Sequence, residues 1–286
     1  LTGDGGDEVF GGYNRYVIGP KLLSKMQRVP PGLRRSAGRL VSACSPAITA
    51  ENGWPRRFTS RMRFPVTALD KVAKLAQHLS EINDLPALYQ HFTKVTHNPD
   101  CLFREAEGVS PPVQSFSVEG AEWMMAMDST TYLPGDILVK VDRAAMAASL
   151  ETRAPFLDGR VVAAAWGLPL EMKIAEGKGK QVLRSLLDRH IPRDLIERPK
   201  QGFAIPLDRW LRGELRSWAE ALLSDDELFD LAGLEPAAVR IRWARHQNSS
   251  INNGTQLWTI LMLLDWLAYY RHYLIGSSFT ANQPVA

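Results

Sequence analysis

The 286-residue sequence predicts a predominantly α-helical chain. Three observations carry this reading. Apolar residues recur at the 3.6-residue spacing of amphipathic helices along most of the chain. Prolines stand where those runs break, and alternating β-branched segments are scarce. With 45% apolar and 23% charged residues, the composition is that of a globular protein with a large core. The length admits one large domain or two smaller ones. We read one over residues 1–286, with a weak boundary in the polar, proline-bearing stretch Val95–Ser117.

In chain order, a glycine-rich turn at residue 3 implies entry just after a strand, and the first helix is expected at Tyr13–Met26. Gly32–Cys44 follows the Pro30–Pro31 pair, Leu85–Val95 opens on Pro86, and Glu119–Tyr132 precedes Pro134. Asp136–Leu150, Gly159–Trp166 and Lys180–Arg189 come next. Leu207–Leu223 starts behind Pro206, Glu235–Ala244 carries Pro236 in its first turn, and Gln256–Asp265 continues to Leu274. Leu257–Ile275 is long and apolar, yet Asp265 and Arg271 interrupt it, so a buried core helix is expected there rather than a membrane span.

The formal charge of +3 is small beside 34 basic and 31 acidic side chains, which argues against a whole-molecule field for nucleic acid or anionic membrane. Any anion site must be local. Cys44 and Cys101 cannot build a disulfide framework, so a reducing, cytoplasmic setting is expected. The six histidines show no metal-ligand spacing. The chain starts at Leu1 without methionine or a secretory pattern and reads as a fragment.

Three motifs carry chemistry. In the run from Leu1 to Tyr13, LTGDGGDEVFGGY, Gly3, Gly5 and Gly6 let the backbone approach a ligand, and Thr2 adds a hydroxyl. Asp4, Asp7 and Glu8 are spaced so that a helical turn gathers their carboxylates on one side. Such a turn suits phosphate, and carboxylates beside phosphate imply Mg²⁺; an acidic surface turn is the alternative. It is neither a P-loop nor a dinucleotide fingerprint. Between Tyr132 and Asp158, Asp136, Lys140 and Arg143 share a helix face, and Asp142–Arg143 and Glu151–Arg153 are candidate buried ion pairs that either line a site or fix helix docking. In Glu176–Arg184, EGKGKQVLR, two glycines set Lys178 and Lys180 in a flexible turn at a helix start, a place to hold polyphosphate or else a solvated basic loop. Arg198–Leu211 has a Pro-Gly-Pro rhythm that rigidifies a loop ahead of an amphipathic helix, and it reads as structural.

In this order and at these separations the motifs resemble the asparagine synthetase family over Leu1 to about Gly276. The family carries S-G-[ED]-G-[GS]-D-E, a helix ending in S-x-E-x-R-x-P-F-L-D, and a later G-K-x-x-L-R-like segment. The resemblance implies an α/β fold of the adenine-nucleotide alpha-hydrolase, ATP pyrophosphatase type, of which residues 1–286 are the helical C-terminal portion. The family's S-G-G-x-D-S loop and N-terminal glutaminase domain are not in this sequence. It implies ATP and Mg²⁺, aspartate and glutamine-derived ammonia as substrates, no nucleic acid or membrane partner, and room for a homodimer.

Carried over position by position, Thr2 and Gly3 correspond to an ATP-contacting pair, with threonine in place of the commoner serine. Asp4 corresponds to the carboxylate that takes a proton from attacking ammonia, and Asp7 to a Mg²⁺ ligand. Lys180 falls on the lysine that meets charge on the α-phosphate and leaving pyrophosphate, with Asp142 and Arg143 as candidate site-lining residues. The fragment alone is expected to be inactive. Other amide-forming members, of the β-lactam synthetase or peptide-cyclising type, share this chemistry. A tRNA-modifying ATP pyrophosphatase and a non-catalytic interaction module are the readings from other classes.

Overall fold

A computed structural model describes residues 1–30, 32–34, 36, 82–95, 101–104, 116–196, 205–248 and 252–276. The described residues are mostly helical; the β-type pairings among them are the isolated bridges Phe103–Leu234 and Ala175–Lys178. The chain divides into two compact units, one of Leu1–Ser36, His78–Thr93 and Pro112–Gly202, the other of Ala37–Gln77, Lys94–Pro111 and Phe203–Ala286. Most of the stretch read as a weak boundary, most of the Gly32–Cys44 helix and the first half of Arg198–Leu211 lie outside the described residues.

The first unit contains a single helical turn, α1 (Gly6–Val9), then α2 (Asn14–Gln27), α3 (Leu85–Thr93) and α4 (Gly120–Thr130). Gly19 lets α2 approach α4: a Cβ there would lie 2.7 Å from the Met124 Cε. Around this contact Tyr16, Tyr89, Trp123, Met124 and Met125 form a closed core. Asp128, at the C-terminal end of the buried run of α4, is fully buried and satisfied from three sides. It accepts from Arg15 Nε at 2.8 Å, from the Tyr16 hydroxyl at 2.5 Å and from the Tyr89 hydroxyl at 2.7 Å. Arg15 also lies over the Tyr13 ring, 4.2 Å from its centroid.

The helix expected at Asp136–Leu150 begins instead with a π-helical turn, Leu133–Ile137, and continues as α5 (Leu138–Ala147). None of α5 is buried. A 3-10 turn at Pro155–Leu157 leads into α6 (Gly159–Trp166), capped by the Asp158 carboxylate on the Arg160 N–H. After α7 (Leu170–Lys173) comes α8 (Gln181–Leu187), shorter than the sequence suggests because Asp188 closes it. Lys173 is buried and bonds Glu122 at 2.9 Å, with its Nζ 5.0 Å from the Trp166 ring centroid. The short α9 (Arg193–Ile196) ends the described part of this unit.

In the second unit the helix expected at Leu207–Leu223 is broken at Gly213, giving α10 (Leu207–Arg212) and α11 (Arg216–Ser224). A further helix, α12 (Asp226–Ala232), was not read from the sequence, although its signals are present. The Asp225 side chain accepts from the Glu227 and Leu228 N–H groups, and Gly233 ends the helix in the left-handed region at φ 63°. After α13 (Pro236–Gln247), α14 (Gly254–Gly276) runs through the core. Its Leu257, Leu261 and Leu264 are fully buried against Leu211, Phe229 and Val239, as a core helix requires. No helix among the described residues is long and apolar enough to cross a membrane.

Candidate functional site

The first and third motifs meet in the first unit. Gly5 takes φ 83°, a left-handed turn that only glycine adopts without strain, and starts α1. The glycines are also needed for space. A Cβ on Gly5 would lie 2.2 Å from Leu157 Cδ2, and one on Gly6 would lie 3.0 Å from Phe156 Cδ2. The turn therefore sits on Phe156 and Leu157 of the second motif, and Phe10 meets Phe156 edge to face at 5.7 Å. The Thr2 N–H donates to Arg153 O at 2.8 Å. Its Oγ1 is buried without a hydrogen-bond partner, and the Cβ position of Gly3 faces open space.

A four-residue helix cannot hold itself. α1 is tied at its far end by the Gly12 N–H donating to Asp7 O at 2.7 Å, and by the Lys180 N–H donating to Phe10 O at 3.0 Å. Gly179 fits against this junction only as glycine, because its Cβ would fall 1.9 Å from Gly11 O. The lysine-bearing turn is closed by its own backbone. Ala175 and Lys178 exchange backbone hydrogen bonds of 3.1 and 2.9 Å across Glu176 and Gly177, both at positive φ. Lys180 itself has φ 59° and precedes α8. Its Nζ lies 3.0 Å from Asp7 Oδ2, in an ion pair that is half-buried on both sides. The next stretch of α8 faces a polar hollow bordered by Lys178, Gln181, Arg184 and Asp188.

The three carboxylates of the first motif do not gather on one side. Asp7 faces Lys180, whereas Glu8 is buried and accepts from the Tyr13 hydroxyl at 2.7 Å. Burial raises the Glu8 carboxyl above its ordinary range, with the Tyr13 hydrogen bond opposing the shift. The Tyr13 phenol is likewise held above its usual range by burial and by the Glu8 carboxylate. Asp4 is partly exposed and its side chain has no protein partner among the described residues. No group of three metal-ligating side chains occurs among the described residues.

The second motif is corrected on one point. Asp142 and Arg143 are exposed on α5 and make no ion pair with each other, and Glu151–Arg153 is a 2.8 Å pair at the surface, about 70% exposed on both sides. What this motif does bring to the site is apolar and backbone support, through Arg153 O, Phe156 and Leu157. The Asp128 cluster behind α1 went unread in the sequence. A carboxylate directly after the apolar run Trp123-Met124-Met125-Ala126-Met127 was its signal.

The asparagine synthase family model matches residues 1–268. A protein of Mycobacterium tuberculosis (strain ATCC 25618 / H37Rv) named "Putative asparagine synthetase (glutamine-hydrolyzing)" is 34% identical over 288 aligned positions, covering all of this chain and 41% of that protein. Asparagine synthetase (glutamine-hydrolyzing) 1 of Bacillus subtilis (strain 168) is 29% identical over 93% of this chain and 39% of its own length. The chain thus spans about two-fifths of the curated relatives it matches. No solved structure matches it. The junction of the three motifs and the family match over most of the length agree: the chain belongs to the asparagine synthase family.

Proposed function

We propose that this chain is the C-terminal portion of the synthetase domain of an ATP-dependent amide ligase. The enzyme forms asparagine from aspartate and ammonia, the ammonia coming from glutamine hydrolysed by another domain of a longer cytoplasmic protein. The fold would be the adenine-nucleotide alpha-hydrolase type. The observation that carries the reading is the Asp7–Lys180 contact at 3.0 Å inside a junction of glycines, which puts a metal-type carboxylate beside a phosphate-type cation.

The residues present fit the nucleotide. The buried Thr2 Oγ1 lacks a protein partner, the Gly3 face is open, and Lys180 supplies positive charge at a helix start. Mg²⁺ asks for few protein oxygens and takes the rest from water and phosphate, so Asp7 suffices as this chain's ligand. Bound there, the ion would neutralise charge on the phosphate oxygens.

In the first step an oxygen of the aspartate side chain attacks the α-phosphorus. A P–O bond forms as the bond to pyrophosphate breaks, and Lys180 meets the charge developing on both products. In the second step the ammonia lone pair attacks the acyl carbon, and AMP leaves with the acyl oxygen. The proton released from nitrogen passes to the Asp4 carboxylate, which is open to receive it. Product analysis of the full-length protein with ATP, glutamine and a panel of carboxylic acids tests this reading. Equal amounts of asparagine, AMP and pyrophosphate are expected from aspartate. Turnover of a different acid alone would move the protein to another amide-forming branch, and no AMP from any acid would remove the ligase reading.

A further inference from the structure

Asp7 and Lys180, to which the proposed reaction gives different ligands, hold each other in the structure. The contact is built into the backbone. Lys180 adopts φ 59°, a region costly for a residue with a side chain, and its N–H is fixed on Phe10 O. Gly12 leaves the room required, since a Cβ there would lie 1.9 Å from Asp7 Oδ1 and 2.4 Å from Lys180 Cε. A divalent cation on Asp7 Oδ2 needs the carboxylate oxygen that faces the ammonium. A phosphate on Lys180 needs the ammonium that faces the carboxylate. Each ligand therefore competes with a residue of the protein for its own site.

Resting on the functional reading above, we infer that Asp7 and Lys180 are exchange partners, so that a divalent cation and a phosphate each bind alone against the ion pair and together with positive coupling. Whichever ligand arrives first separates the pair, and the second finds its residue already released. The two side chains are 34% and 32% exposed, and pairs near the surface are weak. The coupling is accordingly modest, up to about fivefold.

The experiment uses the full-length protein, with thermal unfolding to check that each variant is folded. Mn²⁺ binding without nucleotide is followed by electron paramagnetic resonance, and binding of inorganic pyrophosphate is followed by calorimetry in the presence of chelator. Lys180→Gln is expected to tighten Mn²⁺ by about fivefold, and Asp7→Asn to tighten metal-free pyrophosphate by a similar factor. Asp4→Asn removes the same charge from a side chain that is not paired with Lys180. It should leave pyrophosphate binding within about twofold. Unchanged or weaker binding in either of the first two variants overturns the inference, as does Asp4→Asn matching Asp7→Asn. If neither probe binds the unaltered protein, the functional reading itself has failed.

Discussion

Asp4 and Asp7 are three residues apart, and the left-handed step at Gly5 sends them into different surroundings. Asp7 is engaged by Lys180, while Asp4 stays open. Changes at the two should therefore damage different steps in the full-length enzyme. Asp7→Asn removes a charged oxygen from the proposed hard-cation site, so ATP use should fall and recover in part at high Mg²⁺. Asp4→Asn deletes the proposed proton acceptor, so the acyl-adenylate should form and persist with no rescue by metal. Transfer of ¹⁸O from aspartate to AMP across a Mg²⁺ titration separates the two outcomes, and identical profiles would reverse the assignment. Lys180→Ala should slow adenylation by about a hundredfold to a thousandfold, the usual cost of losing one preorganised charge. Glutamine hydrolysis should be nearly untouched, and pyrophosphate release close to the parent rate would make Lys180 a surface charge.

At the scale of elements, α1 illustrates what a sequence reveals and what it withholds. Glycines and acids at its start foretold a tight turn, because backbone freedom is a local property. The destination of Glu8 was not local. It depends on Tyr13 at the start of α2 and on Asp128 of α4, which only folding brings near. The same division explains α12, whose Asp225 and Gly233 caps were legible in isolation, and the exposed Asp142 and Arg143, whose burial no spacing could decide. A pH dependence follows from Glu8. Its folded-state pKa is raised above 4.5, so the native state holds the proton more tightly. The stabilisation is full below the unfolded value and is lost as pH rises through the folded one. Glu8→Gln keeps an acceptor for the Tyr13 hydroxyl and carries no charge. Its stability relative to the parent should grow with pH across that window in urea denaturation, and a flat difference would mean that Glu8 titrates normally.

Across the whole molecule, each unit has its own core, and the second is organised by α14. Phe229 is completely buried there among Leu211, Leu257 and Leu261. Phe229→Ala should cost about 3–5 kcal/mol of stability in chemical denaturation, and a loss below about 1 kcal/mol would mean the core collapses around the gap. The chain alternates between the units, each assembled from three separate stretches. That alternation sets an order during synthesis. Every stretch of the first unit within this chain has left the ribosome once Gly202 emerges, whereas most of the described core side chains of the second unit still wait in Phe203–Ala286. The junction of the three motifs is therefore complete in sequence before the helices of Phe203–Ala286 have been made, an order that lets the first unit fold ahead of the second.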